Sequence, residues 1–209
     1  MDDFEYFFAF MAILLGLTVA ELATRFTDAL SARKRVKLGL LTPFLAIFLL
    51  LDVSSLFLWL WSSRGLFTIS WISVWSGLFV GITYFISAAM VFPRVFDGLT
   101  SLDDHYRENK KWVVGGIILI NVLIYGIQFG RALPIWSDGW FWFWQIVYWV
   151  PLIWLFFACS RRLNLALMAI LIAQYLAMSV LPGSSWGNSI GIDGAASPIA
   201  STNAAAPPR

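Results

Sequence analysis

The residues that could do chemistry in this chain are few, and they lie in apolar surroundings. Glu21 and Arg25 are four apart inside the apolar stretch 4–30, with Asp28 three further on and Thr24 on the same side. On a helix these positions share one broad face. Asp52 stands alone in a second apolar stretch, followed by Ser54 and Ser55, and later stretches add Asn121, Gln128, Gln145, Asn164 and Gln174. A charge held in hydrocarbon costs on the order of 3 kcal/mol, so each of these groups must face protein and be paired or used. For Glu21 and Arg25 the spacing allows an internal ion pair with Arg25 reaching toward headgroups, or a polar site or ion path lined by Glu21. For Asp52 it allows a neutral carboxyl hydrogen-bonded to Asn121, or a proton- or cation-linked carboxylate. Gln174 falls at a similar depth, whereas Arg25 lies about three turns away along the bundle and is an awkward partner. Glu21, Arg25, Asp52, Asn121 and Gln174 therefore form the candidate intramembrane polar site.

Other chemistries find no support. GxxxxGK[ST], HExxH and GxSxG are all absent. One histidine excludes a multi-histidine metal site, and the single Cys159 excludes an intrachain disulfide. His105, near Asp103, Asp104 and Asn109, reads as part of a solvated helix face. No catalytic, cofactor-binding or metal-ligating residue is assigned, no cofactor is expected, and the chain is expected not to be an enzyme. A net charge of +2 gives no case for nucleic acid.

The elements that must position these groups are membrane helices. Of 209 residues, 60% are hydrophobic and 12% charged, about half the charge of a soluble domain. Mean hydropathy is +0.78. Six stretches are long enough to cross a bilayer: 4–30, 38–61, 67–92, 112–133, 138–159 and 163–181. The expected fold is all-α, a polytopic bundle of six transmembrane helices in residues 1–182. Residues 183–209, rich in Gly, Ser, Ala and Pro, are expected to form a disordered tail. MDDFEYFF has no basic n-region, so the first helix is expected to remain as an anchor.

Arg33, Lys34, Arg35, Lys37, Arg94, Arg107, Lys110, Lys111, Arg161 and Arg162 fall in alternate connections, against Arg64, Arg131 and Arg209 on the other side. This bias puts the ten inside and both termini outside, in a cell membrane, with a bacterial inner membrane expected. Trp59, Trp61, Trp71, Trp75, Trp136, Trp140, Trp142, Trp144 and Trp186 fall near the expected outer interface, as anchors or as an outer binding surface.

Packing signals are also present. Ala12, Gly16 and Ala20 recur every four residues on helix 1, and GLFVG and GIQFG supply GxxxG spacings on helices 3 and 4. Such spacings favour close packing inside a bundle. Pro151 predicts a kink in helix 5. Ser101 with Asp104 predicts a capped start of helix 4 near Leu102, and Asp103 can pair with Arg107.

YFISAAMVFP, LDDHYRENKKW and GLTVAELATRFTDAL resemble segments of a group of uncharacterised bacterial multi-pass inner-membrane proteins, over about residues 10–115. That resemblance implies no activity and no functional residues. The expected function is a non-enzymatic accessory, scaffold or partner-binding membrane component. The alternative is a small transporter or channel using Asp52 and Glu21. Beyond the lipid bilayer, the partner is open between another protein and a second copy of the chain, and any small-molecule or ion substrate is unknown.

Overall fold

The computed structural model describes residues 3–64, 70–96, 101–131 and 139–180. Those residues form six long helices and no β-strand: α1 (Asp3–Ser31), α2 (Leu41–Ser62), α3 (Trp71–Val91), α4 (Leu102–Arg131), α5 (Gly139–Phe157) and α6 (Arg161–Val180). All six are long and apolar enough to cross a membrane. The chain is a multi-pass bundle by length and composition. The tail 183–209, Trp136, Trp186, Arg209 and the Arg131 side chain lie outside what is described.

Helices alternate in direction, so the bundle has a basic end and a tryptophan-rich end. The basic end gathers the N-termini of α2, α4 and α6 and the C-termini of α3 and α5, and it is knitted by polar contacts. The Leu41 N–H donates to Asp103 Oδ1 at 3.3 Å, and Thr42 Oγ1 donates to the Leu102 carbonyl at 3.0 Å. Thus α2, whose own first residues supply no side-chain cap, is capped by α4. Ser101 Oγ accepts from the Asp103 N–H at 3.1 Å and starts α4 at Leu102, as the sequence pattern suggests. Asp103 does not pair with Arg107; it also binds Arg161 at 3.3 Å, because its carboxylate turns toward α2 and α6. His105 is half-buried rather than solvated, with Nε2 3.1 Å from the Met90 carbonyl. Among the described residues no cluster of His, Cys, Asp or Glu could hold a metal.

Close packing follows the GLFVG glycines and neither Gly16 nor Gly126. On α3, a Cβ added at Gly77 would lie 2.9 Å from Met11 Sδ, and one at Gly81 would lie 2.8 Å from Leu14 Cβ. The GLFVG glycines are therefore where α1 and α3 meet. Gly16 and Gly126 have nothing within 4 Å, and Gly16 and Ala20 are exposed. The expected Ala12–Gly16–Ala20 packing face is thus open. Instead α1 buries Phe4, Phe7, Met11, Leu15, Thr18 and Leu22, a seam of larger side chains with more area to bury. Gly81→Ala should accordingly lower stability by about 1–3 kcal/mol through overpacking, while Gly126→Ala should be neutral or better. Thermal unfolding of the two variants in detergent checks this, and equal midpoints would refute the assigned interface.

The central layer is solid. Phe48, Leu49, Ile117, Leu152, Leu155 and Leu171 have no measurable exposure. They fill the bundle between the basic end and the level of Asp52. Helix α5 runs through Pro151 to Phe157 without interruption.

Candidate functional site

Asp52 lies midway along α2 and is 1% exposed. Its partners are three tyrosines from three other helices. Tyr84 of α3 donates to Oδ2 at 2.7 Å, and Tyr148 of α5 and Tyr175 of α6 donate to Oδ1 at 2.9 and 2.6 Å. Asn121, expected from the sequence as the main partner, is not one of these three donors. Its amide donates to the Ile117 carbonyl of its own helix at 2.9 Å. A phenol reaches further across the bundle than an asparagine and brings one good donor, so three rings can converge where short amides cannot.

Glu21 and Arg25 take no part in this cluster. Arg25 Nε donates to Glu21 Oε1 at 2.8 Å, with both side chains partly buried. The expected polar group therefore divides in two: an ion pair on α1, and a cluster around Asp52 with Asn121 beside it in the lining of a cavity. Gln174 sits one position before Tyr175 and joins the cavity described next.

Above the tyrosines, toward the tryptophan-rich end, lies a cavity of about 350 Å³. It is lined from α2 by Ser55, Trp59 and Ser62, from α3 by Tyr84, and from α4 by Asn121, Tyr125 and Gln128. Helix α5 adds Trp144, Gln145 and Tyr148, and α6 adds Gln174, Tyr175 and Ser179. Ser62 and Ser179, both exposed, mark its mouth. Asp52 is not part of the lining; the tyrosines roof it. From Ser62 to Asp52 the helix descends ten residues, about 15 Å. No Lys, Arg, His, Asp or Glu is among the described lining residues.

Among the described residues three buried polar atoms lack a hydrogen-bond partner: Gln128 Oε1, Gln174 Oε1 and Trp144 Nε1. All three belong to residues that line this cavity. Orphaned buried polar groups are costly, and natural structures leave few of them. Gln174 Nε2 donates to the Trp144 carbonyl at 3.1 Å, which fixes the amide's orientation and leaves Oε1 as the free acceptor. The Gln145 oxygen is satisfied, because Tyr125 donates to Oε1 at 2.7 Å. No protein-family model, curated protein or solved structure matches this chain. The site must be read from its own chemistry.

The tryptophans divide along the same lines. Trp61, Trp71, Trp75 and Trp140 are exposed on the bundle surface, and the Arg64 guanidinium carbon lies 5.4 Å from the Trp61 ring centre. Trp59 and Trp144 turn inward to the cavity. Missed in the sequence were Tyr84, Tyr148 and Tyr175. The available signal was position: tyrosine is usual at membrane interfaces, and three of them sit well inside their spans.

Proposed function

We propose that this protein is a non-enzymatic binding component of a cell membrane, holding a small molecule in the cavity between α2, α3, α4, α5 and α6. The observation that carries this reading is the coincidence of the three partnerless polar atoms with one cavity. A site built only for packing has no reason to leave an indole N–H and two amide oxygens free around the same space. The solid apolar layer beneath the tyrosines favours a blind pocket over a channel. Asp52, dry and held by three hydroxyls, behaves as a structural floor rather than as a step on an ion path. The bias of basic residues supports a mouth on the outer side, with the basic end in the cytoplasm of a bacterial cell.

Cysteine labelling in intact cells tests this. With Cys159 replaced by alanine, a membrane-impermeant thiol reagent should modify Arg64→Cys at the tryptophan-rich end and Ser55→Cys within the cavity. It should spare Arg94→Cys at the basic end. Reaction at Arg94→Cys from outside would reverse the orientation. Silence at Ser55→Cys with reaction at Arg64→Cys would mean that no water-filled pocket is open there.

A further inference from the structure

Resting on that reading, we propose that the cavity binds a small organic ammonium ion carrying an apolar body. The hydrogen bonds around Asp52 decide what the floor presents. Tyr84, Tyr148 and Tyr175 each direct their one hydroxyl proton at the Asp52 carboxyl. What those phenols can still offer the cavity is lone pairs. Tyr125 gives its proton to Gln145. Gln128 Oε1 and Gln174 Oε1 add two acceptors with no donor near them, and both side chains are more than nine-tenths buried. Among the described buried atoms the one donor without a partner is Trp144 Nε1; the amide N–H groups of Asn121, Gln128 and Gln145 are further donors that lining side chains carry.

A primary ammonium group is the complement of such a surface. It brings three donors and no acceptor, and a positive charge that strengthens each hydrogen bond. The walls suit a cation as well. Trp59, Trp144 and the tyrosine rings surround the space, and aromatic faces attract cations most strongly where water is excluded. No lysine, arginine or histidine among the described lining residues opposes the charge, and the Asp52 carboxyl lies directly below. An anionic ligand would meet the lone pairs of the tyrosine floor and of the two free amide oxygens. The volume accepts a molecule of one ring and a short chain, at the lower end of ordinary ligand sites. The lone indole N–H selects for one acceptor on the ligand, such as a hydroxyl.

Three probes of nearly one shape separate the possibilities: phenethylammonium, the neutral 2-phenylethanol and anionic phenylacetate. Binding to the purified full-length protein in detergent is measured by calorimetry. The ammonium should bind at least tenfold more tightly than the alcohol, and phenylacetate should not bind. Gln128→Met should weaken ammonium binding about tenfold while leaving thermal stability equal or higher, because it removes a buried acceptor that has no partner. Gln174→Met is the second variant, with the same loss of affinity. Equal binding of ammonium and alcohol would overturn the charge assignment and leave the pocket. No binding of any probe, with Ser55→Cys still labelled from outside, would overturn this ligand class alone. Failure of that labelling would overturn the pocket and the ligand class together.

Discussion

Asp52→Leu is expected to cost about 3–6 kcal/mol of stability, the largest loss from any single substitution in the upper half of the bundle. Three hydroxyls converge on this carboxyl, and a leucine accepts from none. Each buried donor left without a partner costs about 1–3 kcal/mol. The total falls below three full penalties because neighbours can re-pair: the Tyr148 and Tyr175 rings are 6.1 Å apart, close enough for one hydroxyl to turn to the other. Asp52→Asn should cost only about 1–2 kcal/mol. Its oxygen still accepts, but its NH2 group needs an acceptor, so at least one tyrosine must reverse its hydroxyl. The tyrosines should rank as well. Tyr84 is the one hydroxyl on Oδ2, whereas Oδ1 has two, so Tyr84→Phe should destabilise more than Tyr148→Phe. Reversible unfolding in mixed micelles measures all four. An Asp52→Leu protein as stable as the parent would mean that the three phenols have other partners and that Asp52 does not organise the floor.

Much of the fold was legible because lipid imposes strict rules. The helix spans follow from the need to satisfy every backbone group internally across an apolar slab. They agree with the sequence reading to within a few residues at most ends. Helix 4 starts at Leu102, where the Ser101 pattern places it, ten residues ahead of its apolar span at 112. What the sequence hid was the third dimension. Depth along a helix can be counted, so Asp52 and Asn121 were matched by level. Rotation about the axis and the reach of side chains cannot be counted. That is why three tyrosines displaced one asparagine, and why Gly16 faced outward while Gly77 and Gly81 met α1. Gln128 was recognisable as needing a partner. That its oxygen would remain free beside two other orphans depends on five helices meeting around one space.

Asn164→Leu is expected to be equally severe at the opposite end, at about 3–5 kcal/mol, and to be felt at the pocket. The side chain is 2% exposed and serves four groups. Its Oδ1 accepts from Tyr106 at 2.9 Å and from Lys110 Nζ at 3.3 Å. Its Nδ2 donates to the Ala158 carbonyl at 3.2 Å and to the Ser160 carbonyl at 2.8 Å. Lys110 Nζ also donates to the Ala158 carbonyl, so a buried ammonium and an amide together close the C-terminal end of α5, where a helix carries partial negative charge. Leucine would strand the phenol and weaken the hold on the lysine, and the Ala158 and Ser160 carbonyls would each drop from two donors to one, Lys110 Nζ and the backbone N–H of residue 164. Lys110→Met should be milder, because Asn164 continues to serve Ala158 and a buried cation with no carboxylate beside it is removed. The three residues 158–160 are all that joins α5 to α6. That pair of helices supplies Tyr148 and Tyr175 to Asp52, and Trp144 and Gln174 to the cavity. Loosening their junction should let the two helices shift relative to α2, so Asn164→Leu should also weaken phenethylammonium binding, from more than two helical turns away. Unfolding midpoints and calorimetry on the same preparation give both readings. A destabilised Asn164→Leu protein with undiminished affinity would show that the pocket is held by the Asp52 cluster alone.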